Sequence, residues 1–162
     1  MALPPLAEAQ GYPRHIVMKA ERTAEVVWQG TLTKGQGSLS GRSGALNNLP
    51  VTWASRVERS DGRTSPEELI AAAHASCYAM AFSLTLEQNG TPPEALRVSA
   101  TCTLDDASGG PKISRLQLDV TGTVPGLDAA GFERVAKQAE QLCPVSNLMR
   151  NNTEIVLNAH LA

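Results

Sequence analysis

The chain has 162 residues, 14 of them basic and 16 acidic, for a net charge of −2. With 42% apolar residues it can bury one core, packed mainly from Leu, Val, Ile and Ala because aromatics make up only 4%. The mixed charges offer no basic patch for nucleic-acid phosphates, and the apolar runs read as too short to span a membrane. Met1-Ala2-Leu3-Pro4-Pro5 lacks the charged and apolar regions of a secretory signal, so the expected compartment is cytoplasmic. Three cysteines in a reducing compartment suit core filling, ligation or redox chemistry better than structural disulfides.

Residues 1–20 carry three prolines and no periodicity, and read as an N-terminal extension to a single domain over 21–162. Ala24 to Gly30 is a strand candidate. Glycines at 35, 37, 41 and 44 fit a β-meander with tight turns, and without a strand-then-helix context they make no phosphate loop. Val51 to Val57 is expected as a third strand, closed by a turn at Ser60-Asp61-Gly62. A long helix follows. Ser65 caps it, Pro66 takes its first position, and Glu68 completes a capping box. Leu69, Ile70, Ala73, Cys77, Met80, Ala81 and Leu84 recur at helical spacing as its expected buried stripe. Asn89-Gly90, then Pro92 and Pro93, end it near Gln88 after roughly 33 Å.

Leu96 to Leu104 and Leu116 to Val120 alternate apolar with polar residues, and should pair as a hairpin across Ser108-Gly109-Gly110-Pro111. Asp128 caps a helix with Phe132, Val135, Ala136, Ala139 and Leu142 on one face. Cys143-Pro144-Val145-Ser146 interrupts it, a short helix restarts at Pro144, and Ile155 to Leu161 alternate in a last strand. The order βββ-α-ββ-αα-β is α+β with antiparallel pairing.

The candidate chemistry lies in the cysteines and one ion pair. Cys102 shares the apolar face of a strand with Val98 and Ala100 and reads as a small core hydrophobe. Cys77 lies on the helix among Ala73, Ala75, Ser76 and Ala79, with room beside its sulfur and His74 one turn earlier to favour a thiolate when protonated. Cys143 falls at a helix N-cap, an accessible position where free N–H groups stabilise a thiolate. A metal site needs three or four ligands, and His74 with Cys77 supplies only two, with His15 and His160 far away. A Cys–His hydrolase fares no better, since an i, i+3 pair on one helix is poorly aligned for proton transfer. Glu68 is occupied by its cap, whereas Glu67 is free to pair with Arg56, expected at the end of the third strand.

Thr64-Ser65-Pro66-Glu67-Glu68-Leu69-Ile70, running on to Ala73-His74-Ala75-Ser76-Cys77, resembles the signature helix of the OsmC/Ohr family of thiol-dependent peroxidases. Cys143-Pro144-Val145-Ser146 is similar to the family's second cysteine motif. Trp28-Gln29-Gly30, the glycine-spaced segment, Arg56 and Val124 to Asp128 fall in family order, so the resemblance covers about residues 24 to 161. The Ala-Ala-His-Ala wording before Cys77 is closer to the OsmC branch, and Arg56 stands one residue further from Pro66 than the family pattern has it.

The resemblance implies antiparallel sheets wrapped around long central helices in an intertwined homodimer, with no bound cofactor or metal. It makes Cys77 the peroxidatic thiolate, Cys143 the resolving thiol, and Arg56 with Glu67 the pair that holds and activates Cys77. The implied substrate is an organic hydroperoxide, with hydrogen peroxide beside it, and the implied reductant a dithiol, which in the Ohr branch is a lipoylated protein. Ten helical residues separate Glu67 from Cys77 by about 15 Å, so Arg56 and Glu67 are expected to serve the partner's Cys77. Two other readings stay open on the residues alone: a thiol sensor that turns over slowly, and a ligand-binding module with its cysteines in the core.

Overall fold

A computed structural model describes residues 19–107 and 109–162. The expected N-terminal extension lies outside these residues apart from Lys19 and Ala20, as does Ser108 of the expected turn. The chain divides into two compact units between Leu69 and Ile70.

In the first unit, β1 (Ala24–Gln29), β2 (Gln36–Gly41) and β3 (Leu49–Val51) form the expected antiparallel meander. Val51 to Val57 is not a strand. It leaves β3 at Thr52 and forms a short helix, α1 (Trp53–Val57). The cause is local: Thr52 Oγ1 accepts from the Ser55 N–H and Ser55 Oγ accepts from the Thr52 N–H, a reciprocal cap built from two hydroxyls. The Ser60–Arg63 turn forms as expected, with both central residues, Asp61 and Gly62, at positive φ. Thr64 then returns beside β3, bridged to Val51, and Ser55 Oγ donates to the Thr64 carbonyl. Residues 52–63 are thus a loop closed at its base.

The long helix α2 (Pro66–Gln88) starts in the first unit and continues into the second, with the expected bounds. Ser65 Oγ accepts from the Glu68 N–H as predicted, but the Glu68 carboxylate takes its own hydrogen bond from Thr64 Oγ1. By length and composition α2 is apolar enough to cross a membrane, which the reading of short apolar runs missed. Its Tyr78, Phe82 and Leu86 side chains are instead fully buried in protein core.

In the second unit, β4 (Ala95–Ala107) and β5 (Gly110–Thr123) form the predicted antiparallel hairpin, with a bulge at Thr103/Leu104. Helices α3 (Ala129–Leu142) and α4 (Pro144–Met149) follow, then β6 (Glu154–Leu161). The architecture is α+β as expected, with one correction: β6 pairs parallel to β5. The chain returns to the sheet through a helical crossover, which is what a parallel pair requires. Leu118 and Val120 of β5, Phe132, Val135, Ala136 and Ala139 of α3, and the aromatic face of α2 make the core. Phe82 and Phe132 meet edge to face, 5.0 Å between centroids. Gly122 admits Phe132 to the sheet, since a Cβ there would lie 2.8 Å from Phe132 Cε2.

Candidate active site

The direction in which α2 faces decides where Cys77 lies. Its buried line in the second unit is His74, Tyr78, Ala81, Phe82, Thr85 and Leu86, about one residue's rotation from the expected stripe. Met80, expected inside, is 68% exposed. The helix is apolar on every side, so spacing gave no direction, and the two large rings settle it by filling the space against Phe132. Cys77 is left part-buried at the margin of the core.

Cys143 both closes α3 and begins α4, with Pro144 at the first helical position. The N-cap placement is as predicted, but accessibility is reversed: Cys143 is fully buried and Cys77 is the more open thiol. A cap is exposed at a free helix end, whereas here α3 and α4 join without a spacer and the elbow folds over the core. Cys77 neighbours Cys143 and the Val145 N–H at the start of α4, which act on its thiol in opposite senses. The free amide expected to serve Cys143 therefore serves Cys77. Burial pushes the Cys77 thiol up; the Val145 N–H opposes this, and the Cys143 thiol adds to it.

Around the sulfurs is a buried polar group that the sequence reading assigned only in part. His74 Nε2 lies 2.8 Å from Ser146 Oγ, with both side chains fully buried, and His74 Nδ1 has no hydrogen-bond partner among the described residues. Burial lowers the His74 pKa, partly opposed by the Glu140 carboxylate, so the ring is neutral at neutral pH. It does not supply the positive charge the sequence suggested. Tyr78 donates to the Ala136 carbonyl at 2.9 Å, and burial holds its hydroxyl well above the ordinary phenol range. Arg150 Nη2 pairs with Glu140 Oε1 at 2.9 Å across the α3–α4 elbow, and Gln141 donates to Glu140 Oε2. Ser146, Glu140 and Arg150 were missed. A signal for Ser146 was present, because it stands three residues after Cys143 in the same motif.

Arg56 lies on α1, inside the closed loop, and not at a strand end. Its Nε and Nη2 lie 2.9 and 2.8 Å from Glu67 Oε1. Both donors thus use one oxygen, and Glu67 Oε2 is buried with no hydrogen-bond partner among the described residues. The Glu67 side chain is 9% exposed and that of Arg56 31%. The four predicted residues therefore fall into two pairs: Arg56 with Glu67 in the first unit, Cys77 with Cys143 in the second. Glu67 belongs to the part of α2 in the first unit, and Cys77, ten residues further along the helix, to the part in the second. Cys102 lies part-buried on β4 opposite Leu116, in keeping with a packing role.

A protein-family model described as OsmC-like protein matches residues 59–158. Peroxiredoxin OsmC of Escherichia coli (strain K12) is 37% identical over 144 residues, which cover 89% of this chain and 99% of the relative. Organic hydroperoxide resistance protein-like 1 of Staphylococcus epidermidis is 33% identical over 106 residues, 64% of this chain and 75% of the relative. Among solved structures, the organic hydroperoxide resistance protein OhrB of Bacillus subtilis superposes with a TM-score of 0.68 at 23% identity. That match covers 85% of this chain and 97% of the other.

Proposed function

The chain belongs to the OsmC family, and from that membership we propose that it is a thiol peroxidase that reduces organic hydroperoxides, and hydrogen peroxide beside them, through Cys77 and Cys143. The observation that carries the reading is that Cys77 and Cys143 are neighbours at the start of α4, with Cys77 the more open of the two. The Cys77 thiolate attacks the peroxide O–O bond, an alcohol leaves, and Cys77 becomes a sulfenic acid. Cys143 then displaces the hydroxyl, forming a disulfide and water. An external dithiol returns both cysteines to thiols, and a lipoylated protein supplies that chemistry. The apolar core against which Cys77 packs favours an organic substrate by taking up its alkyl group.

Cys77 must first lose its proton. Burial and Cys143 hold its pKa up, and His74 beside it is neutral, so a cation has to come from elsewhere. We assign that role to Arg56, oriented by Glu67 and acting on the Cys77 of a second copy. A homodimer fits the open apolar side chains: Met80 on α2, and Val26, Val27 and Trp28 on β1. Residues 21–162 then act as one cytoplasmic domain, with 1–20 an extension; 99% of the Escherichia coli relative aligns within 89% of the chain.

The test is consumption of cumene hydroperoxide with excess dithiothreitol. The wild type should turn over, Cys77→Ser should lose activity, and Cys102→Ser should keep nearly all of it. Substantial turnover by the Cys77 variant removes the reading.

A further inference from the structure

Two pairs of residues join α2 to the start of α4, and they have the same spacing. His74 and Cys77 are three apart on α2; Cys143 and Ser146 are three apart at the elbow and the first turn of α4. Cys77 neighbours Cys143, and His74 meets Ser146 at 2.8 Å, one helical turn away. The second contact is fully buried on both sides. Inside a core a hydrogen bond is directional and costly to break, because neither partner finds water. A slide or rotation of α4 along α2 would break it.

We propose that His74 and Ser146 are positioning residues for the disulfide step: their hydrogen bond fixes α4 against α2 so that the Cys143 sulfur stays on Cys77. The inference rests on the reading of Cys77 and Cys143 as peroxidatic and resolving thiols. In that step the S–S bond forms, the Cys77 S–O bond breaks, and the departing hydroxyl takes the Cys143 proton as water. No further oxidant or reductant enters. The step competes with a second peroxide at the sulfenic acid, so its rate depends on how closely Cys143 is held. The Glu140–Arg150 pair braces the other side of the elbow, tying the end of α3 to the residue after α4. The first step, attack of Cys77 on peroxide, uses neither His74 nor Ser146.

That division gives the experiment its readout. On the full-length protein, rapid quench after a pulse of cumene hydroperoxide measures two rates: formation of dimedone-reactive Cys77, and closure of the Cys77–Cys143 disulfide. Ser146→Ala should slow closure about tenfold or more while the first step keeps the wild-type rate. Sulfinic acid at Cys77 should rise in proportion. His74→Gln, which can place an N–H near the position of Nε2, should recover most of the closure rate that His74→Leu loses, and it keeps the test available if one variant folds poorly. Wild-type closure in Ser146→Ala, or an equal fall of both steps in every variant, overturns the positioning role. A wild type that forms no sulfenic acid on Cys77 overturns the functional reading itself, and is seen before any variant is made.

Discussion

Arg56 sets both its Nε and its Nη2 on one oxygen of Glu67, at 2.9 and 2.8 Å, and leaves Glu67 Oε2 buried without a hydrogen-bond partner among the described residues. A carboxylate held this way fixes the guanidinium plane, and the remaining Arg56 donors stay available for a second anion. In the proposed mechanism that anion is the thiolate and then the departing peroxide oxygen. Arg56→Ala should therefore slow peroxide reduction by about a hundredfold or more, the usual cost of losing one preorganised donor to developing charge. It should also move the pH dependence of Cys77 alkylation to higher pH, because burial already holds this thiol up and nothing would then offset it but the Val145 N–H. Glu67→Ala should slow the reaction far more than Glu68→Ala. Glu68 belongs to the helix cap through Ser65 and Thr64, and its loss should show mainly in thermal stability. Equal effects of the two glutamate variants on rate would refute the division.

Assignment of Arg56 to the Cys77 of a second copy predicts complementation between inactive chains. Arg56→Ala retains Cys77, and Cys77→Ser retains Arg56. If Arg56 serves the neighbouring copy, each mixed dimer has one working site in two. Co-refolding equal amounts should then return about a quarter of wild-type activity, since half the dimers are mixed. Activity no greater than that of the separate variants would place Arg56 and Cys77 of one chain at the same site.

What the sequence disclosed and what it hid divide along the range of the interactions involved. The bounds of α2 were legible because Ser65, Pro66 and Gly90 act on their immediate neighbours. Its orientation was not, because apolar residues surround the whole helix, and the face is selected by Phe82 packing on Phe132 and Tyr78 packing on Phe82 and reaching Ala136. A five-residue helix such as α1 is too short to show a period, so its apolar residues passed for a strand. The N-cap position of Cys143 is a local property, read correctly from Pro144. Its burial depends on the packing of the α3–α4 elbow and was read in reverse. Ser146 meets His74 across 72 residues, and no local pattern announces that contact.

The buried imidazole gives a pH dependence of stability. Burial lowers the folded-state pKa of His74 below the ordinary 6.5, with Glu140 opposing. The unfolded chain therefore takes up this proton more readily than the folded one. The stabilisation is fully present above pH 6.5 and is lost as pH falls through the lowered value. Urea midpoints measured from pH 7.5 downwards should fall more steeply for the wild type than for His74→Gln, which has no proton to gain. Parallel slopes would mean that the folded and unfolded chains take up this proton alike, contrary to the burial of His74.

The contact between Cys77 and Cys143 predicts how the protein oxidises. A disulfide requires Cα atoms within roughly 7 Å, and many two-cysteine systems must move a segment to reach that distance. Here the two cysteines are already neighbours in the reduced fold, so the bond should close without unfolding α4. One equivalent of cumene hydroperoxide should give an internal Cys77–Cys143 bond, with Cys102 still alkylated after denaturation. Before oxidation, iodoacetamide under native conditions should reach the part-buried Cys77 well ahead of the fully buried Cys143. In Cys143→Ser, Cys77 should stop at the sulfenic acid, accumulate sulfinic acid under excess peroxide and lose activity with each turnover. Peptide mapping by mass spectrometry reads all three results. A Cys77–Cys102 linkage, or a disulfide between subunits in place of the internal one, would remove Cys143 as the resolving thiol and leave Cys77 as the only cysteine with an assigned role.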